Sequence, residues 1–186
     1  MEANLENKKE NFVYLDEHGI LGSNFYWQKG NEIGLSKEEL EKVGLTGDRI
    51  QIHEDMVEPL LFADKKLQEH GYRLYITEGY RSKELYELVN QKMIEIIGEK
   101  EKNRILNIKD MPHASGKSVD VALWKDREVM RLHDKTDGIN GYFVGFYKGK
   151  NDEYQRLQEL LIGIMQNTGF HLGTKGEYFH FNYDPD

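Results

Sequence analysis

Two short segments of the sequence carry residues that could bind a metal ion and activate a water molecule. The first contains His113 and Asp120, and the second contains Glu177 and His180. Two imidazoles and one carboxylate leave the fourth position of a tetrahedral zinc ion open, which is typical of catalytic rather than structural zinc sites. A glutamate beside that position can accept a proton from the water. The pattern therefore favours a catalytic site with one zinc ion per chain.

Each segment taken by itself also has an ordinary structural explanation. Asp120 could be a surface carboxylate and His113 a loop residue. Glu177 and His180 are three residues apart, so the ideal alternation of a strand would place them on opposite faces. Both can reach one metal ion only if the chain bends near Glu177, and the nearby Gly173 and Gly176 make such a bend or bulge feasible.

Composition excludes several classes of function. The chain has 186 residues, a net charge of -8 and no cysteine. The negative charge argues against binding to nucleic acid or to an anionic membrane, and the lack of cysteine excludes disulfides, thiolate zinc ligands and a cysteine nucleophile. No apolar run approaches the roughly 20 residues of a membrane-spanning helix. The polar start lacks a secretory signal, so we expect a cytoplasmic protein; the sequence does not indicate an oligomeric state.

The positions of apolar residues predict a mixture of helices and strands. We predict helices over 36–44 with a capping box at Ser36, over 55–70, over 82–98, and over 152–169 with Asp152 as the cap, and strands over 72–77, 117–123 and 178–183. Residues 1–11 are expected to be flexible and 99–112 to be an irregular connection. The three strands can pair antiparallel, which predicts an α+β fold with helices packed around a small antiparallel sheet.

Alternation along the strand over 117–123 predicts where Asp120 points. Val119, Val121 and Leu123 face one side of the strand, and Ser118 and Asp120 face the other. Asp120 is therefore expected to lie on the face of the sheet that is turned away from the apolar core.

The order of the motifs resembles that of the zinc D-alanyl-D-alanine peptidases, which include VanX-type dipeptidases and VanY-type D,D-carboxypeptidases. The sequence H-x-x-G-x-x-x-D at 113–120, followed by E-x-x-H at 177–180, is similar to the motif pair of that family. Upstream, E-G-Y-R-S at 78–82 resembles the Tyr-Arg motif of the family. The resemblance runs over about 24–183 and implies a Hedgehog/D,D-peptidase-like fold, with one zinc peptidase domain over 12–186.

The resemblance also implies a role for each residue of the site. His113, Asp120 and His180 are similar to the zinc ligands, Glu177 to the general base, and Arg81 to the residue that stabilises charge on the scissile carbonyl. The implied substrate is D-Ala-D-Ala or a similar small dipeptide, and the implied reaction is its hydrolysis by zinc-activated water.

Four residues are candidates for contact with the substrate. Glu78 and Asp137 could bind the free ammonium group of a dipeptide, and Tyr26 could line the pocket, although packing in the core explains Tyr26 equally well. Ser118 stands where the family usually has alanine. Met111 stands where the family usually has serine, which leaves the identity of the substrate open.

Two alternatives to a dipeptidase remain open. One is a D,D-carboxypeptidase that removes terminal D-alanine from peptidoglycan precursors. The other is a non-catalytic zinc-binding module, as in the Hedgehog signalling domain, although such a module needs neither Glu177 nor Arg81. For Arg81 itself, the alternative to a catalytic role is a surface ion pair with Glu78 or Glu84.

Overall fold

The computed structural model describes residues 11–184, in which the strands form two sheets. The strands are β1 (Phe12–Tyr14), β2 (Leu21–Gly22), β3 (Gln51–His53), β4 (Arg73–Glu78), β5 (Ser118–Lys125), β6 (Glu128–Val129), β7 (Phe170–Leu172) and β8 (His180–Tyr183). The smaller sheet pairs β1 with β3, and the larger sheet has the order β2-β4-β5-β8-β7, with β6 paired to β5. All pairs are antiparallel except β2 with β4, which is parallel.

Five α-helices accompany the sheets in the described part of the chain. They are α1 (Phe25–Lys29), α2 (Lys37–Lys42), α3 (Val57–Glu69), α4 (Lys83–Ile105) and α5 (Asp152–Asn167). Shorter 3-10 helices cover Leu15–His18, Gly30–Ile33, Glu54–Met56, Pro112–Ser115 and Lys135–Tyr142. The predicted α+β class is confirmed, and so is the capping box at Ser36. Among residues 11–184, no helix has the length and apolar content that crossing a membrane requires.

The larger apolar core lies against one face of the main sheet and determines which side chains face the site. Helices α3 and α5 bury their apolar residues there against Val119, Val121 and Leu123 of β5. The alternation predicted for this strand is confirmed, because these three residues are buried in the core while Asp120 lies on the opposite face, where it lines a cavity.

A second apolar core holds α4 in place. Leu85, Tyr86 and Val89 of this helix pack with Tyr26 of α1 and with Leu106, which follows the helix. Ala114, in the segment Pro112–Ser115, packs against this cluster, so the position of the neighbouring His113 depends on it.

A β-bulge in β4 turns the end of that strand toward the site. Ile76 pairs with Val121, but Glu78 pairs with Asp120, so two steps along β4 match one step along β5. Thr77 is the extra residue, and its hydroxyl donates a hydrogen bond to the carbonyl oxygen of Asp120. Because a bulge re-aims the side chains that follow it, Glu78 lines the same cavity as Asp120.

Three boundaries differ from the sequence prediction. Helix α4 breaks at Gly98, which has φ 80° and ψ 159°, but it resumes and continues to Ile105, so part of the predicted irregular connection is helical. Asn151, rather than Asp152, caps α5, because Asn151 has extended backbone angles and accepts from two N–H groups of the first turn. Strand β8 begins at His180 instead of residue 178, since a turn precedes it. The predicted flexible segment 1–11 lies, apart from its last residue, outside the described residues.

We predict that Asp64 contributes strongly to stability because it links α3 to β4. Asp64 is 6% exposed and accepts a hydrogen bond from the backbone N–H of Leu74 at 2.7 Å, and it also pairs with Arg73. In Asp64→Ala the N–H of Leu74 loses this acceptor, which should lower the free energy of unfolding by about 1–3 kcal/mol. Urea denaturation measures this change. Asp16→Ala breaks an exposed pair with Arg49 and serves as the control, with a much smaller expected effect; equal losses in the two variants would contradict the prediction.

Candidate active site

The side chains of His113, Asp120 and His180 converge on one point. Their potential ligand atoms all lie within 4.8 Å of one another. His180 Nδ1 is 2.8 Å from Asp120 Oδ1 and 3.1 Å from His113 Nε2, and His113 Nε2 is 3.4 Å from Asp120 Oδ1. Two imidazole nitrogens and one carboxylate oxygen arranged in this way match the donor set of a catalytic zinc site.

His113 is held in one orientation by three hydrogen bonds. Its backbone N–H donates to Tyr86 Oη, its carbonyl accepts from the N–H of Arg81, and its Nδ1 lies 2.7 Å from the carbonyl oxygen of Gly79. A carbonyl oxygen can only accept, so Nδ1 carries the proton. This tautomer leaves the lone pair of Nε2 directed at Asp120 and His180, as a metal ligand requires.

Asp120 and His180 are placed together by the pairing of β5 with β8, in which these two residues are direct partners. Paired residues project from the same face of a sheet, so the carboxylate and the imidazole meet. Burial by itself would raise the pKa of Asp120, but the interactions of its carboxylate with His113 and His180 outweigh burial and hold this pKa below its usual range. Asp120 is therefore an anion, which is the form that binds a metal ion.

Glu177 reaches the same cavity because the chain turns between it and His180. Gly176 has φ +79°, Glu177 forms a β-bridge with Phe143, and residues 178–179 form a turn before β8. The bend that the sequence required near Glu177 is present. The Glu177 side chain lies at the edge of a cavity of about 820 Å³ that also contains the three potential ligands.

The environment of Glu177 suits a proton acceptor. The residue is 3% exposed, and its Oε2 has no hydrogen-bond partner among the described residues. Burial raises the pKa of the Glu177 carboxyl to about 7. A general base is most effective when its pKa lies near the working pH. The partnerless oxygen beside three converging donors also indicates that these residues fit a metal ion with a water molecule.

Gly173 leaves space for the ring of His180. A Cβ atom added at Gly173 would lie 2.1 Å from His180 Cδ2, far inside contact distance. Gly173 N–H also donates to the carbonyl oxygen of His180. The sequence predicts only a bend near Gly173, whereas in the structure this glycine is part of the wall that positions the imidazole.

Arg81 lines the cavity as part of a buried ion pair. Its guanidinium donates to both carboxylate oxygens of Glu78, and the two residues are 5% and 2% exposed. The guanidinium carbon also lies 4.3 Å from the ring centre of Tyr86 and 5.1 Å from that of Tyr26. Arg81 thus pairs with Glu78, one of the two partners expected if its role were structural. The pair is buried in the cavity wall, however, and not exposed on the surface.

The remaining predicted substrate contacts differ in their placement. Tyr26 is buried at the cavity wall, and the hydroxyl of Ser118 donates to Asn182 Oδ1 at 2.6 Å. Glu78 lines the cavity, but its charge is already paired with Arg81.

Asp137 accepts a hydrogen bond from Tyr147 Oη at 2.9 Å. Asp137 does not line the cavity, whereas His133, Ile139 and Tyr142, which lie near it in the chain, do. Substrate binding by the four candidate residues stays a prediction.

His133 and Tyr142 also line the cavity, which the sequence did not predict. His133 Nδ1 is 2.9 Å from Tyr178 Oη, and the N–H of Tyr178 donates to the carbonyl oxygen of Tyr142. These contacts connect the 131–147 segment to the turn that follows Glu177. No local motif marks His133 or Tyr142, because their role arises only from pairing across the fold.

Comparison with known families identifies the chain. The model of peptidase family M15, described as D-Ala-D-Ala dipeptidase, matches residues 38–186. The chain belongs to peptidase family M15. The resemblance inferred from the motifs is thereby confirmed, and with it the assignment to a family of metal-dependent peptidases. Among curated proteins, no sequence matches this chain.

Two solved structures are similar to this M15 chain. One is the LdcB LD-carboxypeptidase, with 17% identity and a TM-score of 0.46, covering 72% of this chain and 59% of that protein. The other is the vancomycin resistance D,D-dipeptidase VanXYg in complex with a D-Ala-D-Ala phosphinate analog, with 17% identity and a TM-score of 0.45, covering 92% of this chain and 66% of that protein. The chain thus spans less than two thirds of each of these proteins.

We predict that Gly173→Ala weakens metal binding. The added methyl group would displace the His180 ring and move Nδ1 away from the other donors. Changes in the residues that orient a metal ligand typically reduce affinity by about 10–100-fold, and calorimetric titration with zinc measures the loss. Gly163→Ala, within α5 and with no atom near the added methyl group, is the control and should bind zinc like the unaltered protein. Unchanged affinity in Gly173→Ala would show that the ring has room to move.

We also predict a pH-dependent effect of Glu177→Gln on stability in the metal-free protein. The pKa of Glu177, about 7 when folded, is raised from 4.5 because burial favours the neutral acid. That contribution to stability is complete below pH 4.5 and is lost as the pH rises through 7. Glu177→Gln should therefore be more stable than the unaltered protein above pH 7, by up to about 3 kcal/mol, with the difference vanishing near pH 4.5. Denaturation in EDTA across this range measures it; a difference independent of pH would refute the assignment.

Proposed function

We propose that the protein is a zinc-dependent dipeptidase that hydrolyses D-Ala-D-Ala or a similar small dipeptide. His113, Asp120 and His180 would hold the zinc ion through Nε2, Oδ1 and Nδ1. The observation that carries the proposal is the convergence of these three atoms in one cavity with the partnerless carboxylate oxygen of Glu177. Membership of family M15 supports the same reaction class.

Each side chain has a defined task in the proposed reaction. Zinc, when bound, supplies a Lewis acid that polarises the scissile carbonyl and makes a water molecule more acidic. Glu177 accepts the proton of the attacking water at Oε2 and later delivers a proton to the leaving amine. Glu177 is 3% exposed, and the low dielectric around a buried carboxylate strengthens its electrostatic interactions.

Arg81 is proposed to oppose the negative charge that develops on the carbonyl oxygen. The Glu78 carboxylate and the flanking rings of Tyr86 and Tyr26 fix the position of the guanidinium before the substrate binds. A group that is already oriented needs no reorganisation during the reaction, and removing one such donor typically costs about 10²–10³ in kcat.

A D,D-carboxypeptidase acting on longer peptidoglycan peptides is the second candidate. The cavity volume of about 820 Å³ favours it, because drug-sized ligands occupy sites of roughly 300–1,000 Å³. A dipeptide with two methyl side chains would fill only part of this space, whereas a longer peptide would fill more.

We predict that the zinc-loaded protein releases D-alanine from D-Ala-D-Ala and does not cleave L-Ala-L-Ala. Glu177→Ala should lower the rate by about 10²–10⁴-fold, since it removes the proton acceptor. Glu159→Ala removes an exposed carboxylate on α5 and should retain activity. Chromatographic measurement of released D-alanine gives both rates.

A muramyl pentapeptide in the same assay separates the candidates. Cleavage of the pentapeptide without cleavage of the dipeptide would favour the carboxypeptidase. Binding of one zinc ion without turnover of any of the three peptides would favour a non-catalytic zinc-binding module and would refute both peptidase proposals.

A further inference from the structure

An apolar stripe on α4 continues beyond the second core and becomes a wall of the cavity. Leu85 and Val89 are buried in that core, and Met93 packs at its edge. Ile96 and Ile97 follow Met93 by three and four residues, so they lie on the same face of the helix. Both line the cavity, and Ile96 keeps 51% of its surface exposed.

The chain returns to the same wall after the break at Gly98. Ile105 and Leu106 line the cavity from the far side of the break. Lys175, which lies two residues before Glu177, donates from Nζ to the carbonyl oxygen of Asn103 at 2.8 Å. This contact ties the segment beyond Gly98 to the turn that carries the proposed base, so the apolar wall and the polar site share one cavity.

The wall is larger than a D-Ala-D-Ala dipeptide can cover. Alanine side chains are single methyl groups, whereas the wall presents three isoleucines, a leucine and a methionine to the cavity. Covering exposed apolar surface removes it from water and so stabilises a complex. A ligand with a larger apolar group would therefore gain affinity at this wall that alanine cannot.

We propose that this wall, formed by Met93, Ile96, Ile97, Ile105 and Leu106, binds an apolar side chain of about leucine size in a peptide substrate. The inference rests on the proposed peptidase function and specifies its substrate class: small D-peptides with a leucine-sized residue beside the scissile bond.

Three dipeptides test this specificity in the zinc-loaded protein: D-Ala-D-Ala, D-Leu-D-Ala and D-Ala-D-Leu. One of the leucyl peptides should have a kcat/KM at least about tenfold above that of D-Ala-D-Ala. The double variant Ile96→Ala/Ile97→Ala should lose this preference while still hydrolysing D-Ala-D-Ala. Ile94→Ala is the matched control, because Ile94 is 38% exposed on the same helix but does not line the cavity, and this variant should keep the preference.

Binding to the zinc-loaded Glu177→Gln variant separates this inference from the proposed function. Calorimetry should show that the preferred leucyl dipeptide binds about tenfold more tightly than D-Ala-D-Ala, and that adding Ile96→Ala/Ile97→Ala removes the difference. Tighter leucyl binding with no hydrolysis of any dipeptide by the unaltered protein would support the apolar subsite and refute the dipeptidase. Hydrolysis of D-Ala-D-Ala with equal affinity and equal rates for all three peptides would overturn the apolar subsite alone, as would loss of the preference in Ile94→Ala.

Discussion

The antiparallel pairing of β5 with β8 is the constraint on which the rest of the site depends. This register makes Asp120 and His180 direct partners and places both on the face of the sheet opposite the larger core. A shift by one residue would turn Asp120 into the core and Val119 into the cavity, and burial of an unpaired carboxylate among apolar side chains is costly. The buried residues of β5 therefore fix the register, and the register fixes two of the three potential metal ligands.

Burial gives the site its chemical character because it acts differently on each acidic group. The guanidinium of Arg81 forms an ion pair with the buried carboxylate of Glu78, and the imidazoles of His113 and His180 stabilise the buried carboxylate of Asp120. Among residues 11–184, Glu177 has no ion-pair partner, so burial raises its pKa and leaves it able to exchange a proton near neutral pH. One cavity thus contains a fixed anion, a neutralised pair and a titratable base, which is a division of roles suited to hydrolysis.

Helix α4 contributes residues both to the second core and to the wall of the cavity. Its first half contributes Leu85 and Val89 to the second core, and that core supports the segment that carries His113. Its second half has no core to cover, so the same apolar stripe faces the cavity at Ile96 and Ile97. The break at Gly98 ends the stripe, and the chain beyond it adds to the same wall.

Most helices and strands, the α+β class and the family could be predicted from the sequence. Local signals such as the capping box at Ser36 and the alternation around Asp120 act between near neighbours, so they could be read from the chain and were confirmed. Motif order supplied the family. Three features could be seen only in the folded chain: the burial of Arg81 with Glu78, the space that Gly173 leaves for His180, and the cavity wall at His133. Each depends on residues from separate elements, and no local pattern in the sequence records how these elements pack.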